Sequence, residues 1–180
     1  MSTNLRRCLW LGAGAGGIIL VLFGILTACR SNPADRSAAE AWVAERHPGV
    51  PRLTGAYLES HDNASYLLLD VRSTAEWQVS HLPGALRCED AGAAIAAARQ
   101  RQVGRIVVYC SIGERSSRLA GQVLAQAPEL QVHDLAGGIF TWAAEDRPLV
   151  DVAGRSTRLV HPYDAAWGRL LPEDRRAPLP

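Results

Sequence analysis

The chain is 180 residues long with 48% hydrophobic and 21% charged residues, a balance that supports one ordinary domain with a buried core and excludes a disordered polymer. A formal net charge of +1 provides no electrostatic footprint for nucleic acid. All 19 basic residues are arginine, which excludes a Schiff-base lysine and leaves guanidinium as the fixed side-chain cation for an anionic ligand.

Residues 1–29 read as a targeting segment. Arg6 and Arg7 form a positive n-region, and 21 uncharged residues follow from Cys8 to Ala28, closing on Leu26-Thr27-Ala28-Cys29. Small residues before a cysteine resemble a lipobox, which makes Cys29 the candidate lipid-attachment site. The other reading is an uncleaved anchor, because the stretch is about long enough to span a bilayer. Its five glycines weaken it as a helix and favour the lipoprotein. Both readings put the rest of the chain in the cell envelope, on the outer side of the membrane, because the positive end stays inside. The arginine pair also has a faint likeness to a twin-arginine export signal. Gly12 to Gly17 fits G-x-G-x-x-G, but no strand precedes it and it lies within the apolar segment, so dinucleotide binding is rejected.

After a polar linker at 30–36, the Ala-rich run Ser37–His47 predicts a helix stopped by Pro48-Gly49. Val50–Thr54 predicts a short strand, with Thr54 capping a helix to about Ser60. Tyr66–Val71 is apolar on both faces, as a strand buried between two helical layers should be. A short helix over Thr74–Ser80, a turn at His81–Gly84 and a strand over Ala85–Cys88 follow, and Asp90 caps a helix to about Gln102. Arg105–Cys110 is the strongest strand. It leads through Ser111–Ser117 into a helix with Leu119, Ala120, Val123 and Leu124 on one face, ended by Pro128. Gln131–Leu135 predicts the last strand, Gly137-Gly138 a turn and Ile139–Ala144 a short helix. Strands alternating with helices at this spacing predict an α/β fold, an open parallel sheet covered on both faces. The domain is expected over 37–152, and 153–180 is a C-terminal extension whose charged, proline-rich end is expected to be loose.

The chemistry concentrates where a buried strand ends in a cysteine, followed by a loop and a helix start. Ligands of open α/β sheets bind at the carboxyl ends of strands. A loop curling into a helix start points backbone N–H groups inward, where they and the helix dipole favour an anion, here the thiolate of Cys110. Arg115 adds a cation, and Gly113 allows backbone angles that other residues resist. The competing reading of Cys110 is a small buried hydrophobe at a strand end.

Four segments together resemble the rhodanese family: Leu68-Leu69-Asp70-Val71-Arg72 with Glu76-Trp77, His81-Leu82-Pro83-Gly84-Ala85, the loop Tyr109-Cys110-Ser111-Ile112-Gly113-Glu114-Arg115-Ser116, and Gly137-Gly138-Ile139 with Trp142 and Pro148. The tail's His161-Pro162-Tyr163 and Trp167-Gly168 are similar to an extension of some single-domain members. The resemblance implies a five-stranded parallel sheet and a sulfurtransferase. In that reaction Cys110 takes sulfane sulfur from a small donor such as thiosulfate, holds it as a persulfide and passes it to a thiol or cyanide-type acceptor. The amides of Ser111, Ile112, Gly113, Glu114 and Ser116 would hold the persulfide anion, and Arg115 would orient the donor. No metal and no other cofactor is expected.

Ser80 stands where the family usually has glycine before the histidine, a departure expected to affect the turn rather than catalysis. Related phosphatases need C-x5-R to surround a phosphate, whereas Cys110 and Arg115 are spaced C-x4-R, a tighter ring suited to a single sulfur. Asp70 and Arg72 read as a strand-end ion pair or as supports for the loop rather than as acid and base. His81 reads as a turn residue. Cys88, ending a neighbouring strand on the same side of the sheet, could resolve the persulfide into a disulfide, but a buried small residue is the preferred reading. Two other functions stay open: a non-enzymatic persulfide relay, and an envelope thiol-redox protein using Cys88 with Cys110.

Overall fold

The computed structural model describes residues 33–61 and 65–179. The targeting segment, with the lipobox and Cys29, lies outside them. Among the described residues no helix is long and apolar enough to cross a membrane.

Five strands, β1 (Arg52–Leu53), β2 (Leu67–Asp70), β3 (Leu86–Arg87), β4 (Arg105–Tyr109) and β5 (Gln131–Leu135), form one parallel sheet in the order β1-β5-β4-β2-β3. Six helices accompany them: α1 (Arg36–Arg46), α2 (Gly55–Glu59), α3 (Thr74–Val79), α4 (Ala91–Arg101), α5 (Glu114–Gln126) and α6 (Gly138–Ala144). Four of the helices start where the sequence supplies an N-cap. The side chains of Asp35, Thr54, Ser73 and Asp90 each accept a hydrogen bond from the N–H three residues on. Each such cap is worth about 1 kcal/mol.

Side-chain alternation along the strands divides the core into two layers. Leu67, Leu69, Ile106, Val108 and Val132 pack with Ala94, Ala98, Ala120 and Val123 of α4 and α5. Leu68, Val107, Tyr109 and Leu135 pack on the other side with Val43 of α1 and with Ile139 and Phe140 of α6. Alanines at the α4 contact let that helix approach the sheet closely. β4 lies in the middle of the sheet, so Cys110 emerges at its carboxyl edge between the ends of β2 and β5.

Asp70 and Arg72 form a fully buried ion pair at the end of β2. Arg72 donates from Nε and Nη2 to the carboxylate at 2.9 and 2.7 Å, and from Nη2 to the Ser80 carbonyl at 2.6 Å. The same turn is held from β4, whose Tyr109 hydroxyl accepts from the Leu82 N–H at 3.1 Å. Ser80 has φ −170°, extended backbone that any residue adopts, so the turn does not require glycine there; the cost of serine is its hydroxyl, which is buried without a hydrogen-bond partner. His81 exchanges backbone hydrogen bonds with Val150 and stacks on Trp77 at 3.6 Å between ring centroids.

The tail is not loose. After the antiparallel pair β6 (Leu149–Val150) and β7 (Ser156–Thr157) comes a helical turn, α7 (Ala165–Gly168), and then a 3₁₀ turn over Glu173–Arg175. Val160, Leu170 and Leu171 are buried in the same core layer as α1 and α6. Arg36 of α1 donates to the Leu170 carbonyl at 3.0 Å, and Val160 exchanges backbone bonds with Arg175 and Ala177. Val160 and the adjacent pair Leu170-Leu171, set among prolines and charges, carry no period, so only their tertiary partners reveal them. Deleting residues 158–180 uncovers that layer and is expected to cost about 5 kcal/mol of apolar burial. By circular dichroism this should appear as a melting point about 10–20 °C lower. An unchanged melting point would show that the tail contributes nothing to the core.

Candidate functional site

Cys110 is 1% exposed, at the floor of a cavity of about 220 Å³. Its Sγ accepts the Gly113 N–H at 3.2 Å. The loop's orientation is set from below by α6, where the N–H groups of Ile139 and Phe140 bond the carbonyls of Cys110 and Ser111 at 2.9 and 3.0 Å. In a trans peptide C=O and N–H point in opposite directions, so fixing those two carbonyls turns the amides of Ser111 and Ile112 the other way. The first N–H groups of α5 have no partner within the helix and add to the same positive concavity. Two glycines make this possible. Gly138, at φ +56°, lies so close that a Cβ there would sit 2.3 Å from the Cys110 carbonyl oxygen. Gly113, at φ +105°, sits over Asp134, whose carboxylate a Cβ would approach to 2.9 Å.

Asp134 on β5 braces the loop from beneath, receiving the hydroxyls of Ser116 and Ser117 at 2.5 and 3.0 Å, with Arg52 Nε 3.7 Å away. Burial pushes its carboxyl up to about 7 against those two hydrogen bonds and that charge. The Ser116 side chain is therefore committed to the support and not to the cavity.

Arg115 lines the cavity, but its charge is compensated. It donates to both Glu76 oxygens, at 2.8 Å from Nη1 and 2.7 Å from Nη2, and Nη2 also reaches Ser111 Oγ at 3.0 Å. Ser111 Oγ in turn donates to Glu76 at 3.0 Å, and the same carboxylate closes a capping box with Ser73 at the start of α3. Burial works against the charge on Glu76, yet the hydrogen bonds and charge of Arg115, with the Ser73 bonds, hold its carboxyl down to about 2. The guanidinium is raised above its ordinary range, because Glu76 and the nearby Cys110 sulfur outweigh the cost of burial. One carboxylate thus joins α3, the cysteine loop and α5.

Of the residues expected at the site, Cys110, Ser111, Ile112, Glu114 and Arg115 line one cavity and Gly113 contributes its amide. Asp70 and Arg72 lie deeper, holding the turn. Sequence reasoning gave Glu76 no role, although its place in Ser-x-x-Glu before a short helix marks a capping box. It also missed the cavity's walls, Trp42 from α1 with Tyr163 and Trp167 from the tail. Cys88 requires a correction. It follows the end of β3, which is not beside β4, because β2 lies between them. Two strand spacings amount to roughly 10 Å, beyond the span a disulfide bridges. Cys88 is buried in the α4–α5 layer, its Sγ donating to the Asp90 carbonyl at 3.3 Å, and burial raises its thiol above the ordinary range.

No curated protein sequence matches the chain. Among solved structures, it is similar to a thiosulfate sulfurtransferase from Pseudomonas aeruginosa at 23% identity and a TM-score of 0.54, over 67% of this chain and only 23% of that one. It is also similar to the rhodanese-like domain of an Anabaena protein, at 23% identity and a TM-score of 0.47, over 57% of this chain and 80% of that one. The first likeness supports the fold. The family itself is shown by the sequence model of the rhodanese-like domain, which matches residues 53–145, just over half of the chain, from the end of β1 past the end of α6, and by that match the chain belongs to the rhodanese-like domain family.

Proposed function

We propose that this domain is a sulfurtransferase that moves sulfane sulfur through a persulfide on Cys110. The observation that carries the reading is a cysteine sulfur on the cavity floor, at the carboxyl end of the central strand, already accepting one loop amide at 3.2 Å. The Cys110 thiolate attacks the outer sulfur of a donor, whose bond to that sulfur breaks as the leaving group takes the electron pair. The new persulfide places its terminal anion among amides that need no reorganisation to receive it. An acceptor thiolate or cyanide then attacks that outer sulfur and releases Cys110. Gly113 and the amides of Ser111, Ile112, Glu114 and Ser116 hold the anion. Arg115 keeps the loop closed through Glu76 while lining the cavity. The C-x4-R spacing suits this single sulfur better than a phosphate.

Incubation with thiosulfate is expected to raise the intact mass by one sulfur atom, removable by cyanide as thiocyanate. No added sulfur with any sulfane donor would overturn the reading. A mass lower by two hydrogens after oxidation would instead support the thiol-redox alternative, which the position of β2 between Cys88 and Cys110 disfavours.

The domain works on the outer side of the membrane in this reading, tethered through a lipid on Cys29. The support is the arginine pair, the apolar stretch and the small residues before that cysteine. Cells fed labelled palmitate should label the wild type and not Cys29→Ala; labelling of neither would favour the uncleaved anchor.

A further inference from the structure

The cavity above Cys110 is walled by aromatic rings, and its charges are already spent. Trp42 of α1 and Trp167 of α7 meet at 6.1 Å between centroids, tilted by 50°, and Tyr163 covers the Arg115 guanidinium at 5.1 Å. Arg115 is paired to Glu76, whose side chain is only 3% exposed. The other charged wall, Glu114, is paired to His47 at 3.0 Å and Arg46 at 3.6 Å. A small dianion entering this space would meet a compensated guanidinium, a carboxylate and three rings, and would surrender its hydration for loop amides that the persulfide itself needs. An apolar body would meet the three rings and Ile112. The volume of about 220 Å³ is ample for an aromatic ring, since a cavity of about 150 Å³ holds a benzene.

We infer that the donor acting on Cys110 is an organic sulfane-sulfur compound with an apolar, aryl-sized body and at most one negative charge. This rests on the sulfurtransferase reading above and names its substrate class. With an organic persulfide, the Cys110 thiolate forms a bond to the outer sulfur while the donor's S–S bond breaks. The organic thiolate leaves with the electron pair, so one S–S bond replaces another and no oxidant or reductant is needed. Tyr163, Trp167 and Trp42 select the body, and the tail is thereby a specificity element of the site.

Three donors separate body from charge: thiosulfate, methanethiosulfonate and benzenethiosulfonate, each with cyanide as acceptor and each scored also by the added sulfur on Cys110. For the full chain, kcat/KM for benzenethiosulfonate should exceed that for methanethiosulfonate by at least about tenfold, the discrimination an apolar pocket gives for several carbons. Thiosulfate should be the poorest of the three. In Tyr163→Ala and in Trp167→Leu the ratio between the aryl and methyl donors should fall toward one. Wild type that uses thiosulfate as well as the aryl donor, or an aryl-to-methyl ratio near one, overturns the inference and leaves the sulfurtransferase standing. A failure of all three donors to load Cys110 overturns the sulfurtransferase reading itself. The wild-type ratios decide the matter even if a variant does not fold.

Discussion

Cys110→Ser is expected to lose sulfur transfer entirely, to below detection, while keeping the fold. Serine is smaller than cysteine and fits the site, and its hydroxyl can still accept the Gly113 N–H that now meets Sγ at 3.2 Å. The chemistry, however, is not available to oxygen. An alkoxide does not form at neutral pH in this cradle, and a hydroxyl cannot hold sulfane sulfur in exchange with a thiolate. The check is twofold: no added sulfur by intact mass with any donor, and a melting point within about 2 °C of wild type, as for a substitution that opens little cavity. Residual turnover in the serine variant would mean that sulfur is carried elsewhere in the chain.

The second large effect is expected at Glu76, which the sequence marks only as a helix-capping residue. Its carboxyl is held at about 2 in the folded chain against an ordinary value of 4.5. A carboxyl whose value is depressed on folding stabilises the fold fully above the ordinary value, and loses that contribution as pH falls toward the depressed one. The difference is worth roughly 3 kcal/mol at neutral pH. Glu76→Gln should therefore unfold roughly 3 kcal/mol more easily than wild type at pH 7, in line with removing one partner of a buried ion pair. The gap should narrow below pH 4.5 and close below about pH 2, where the folded wild type carries a neutral carboxyl too. Activity should fall as well, since Ser111 and Arg115 lose the anion that fixes them beside Cys110. Equal stability of the two proteins at pH 7 would show that the network is ornamental. A gap independent of pH would show that the amide disrupts packing and not charge.

Much of this architecture could be read before any coordinates. β2 and β4 carry continuous apolar runs, Leu67–Leu69 and Ile106–Tyr109, a signal that depends only on neighbours along the chain. β5 falls on Gln131–Leu135 as expected, and β4 stops at Tyr109, one residue short, because Cys110 already belongs to the loop. Helix starts at Asp90 and Thr54 were legible because an N-cap is a contact across three residues. Cys110 was legible for the same kind of reason: a strand end, a glycine and a helix start are consecutive in sequence.

Contacts between distant residues were decided by the fold alone. The sequence places Arg115 near Cys110, but its partner Glu76 lies 39 positions earlier and meets it only because β2 and β4 are adjacent. Strand order is likewise absent from any local pattern, and it separates Cys88 from Cys110 by inserting β2 between their strands. The tail shows the limit most clearly. Its composition is that of a loose end, and Leu170 and Leu171 have no periodicity to announce a core role, yet they are buried beneath α1 and α6 and carry Tyr163 and Trp167 to the mouth of the site. Local chemistry singled out Cys110, because that cysteine and the loop amides around it are chain neighbours. What surrounds that sulfur was decided by tertiary packing, since apolar burial has no direction and takes its partners from wherever the fold brings them.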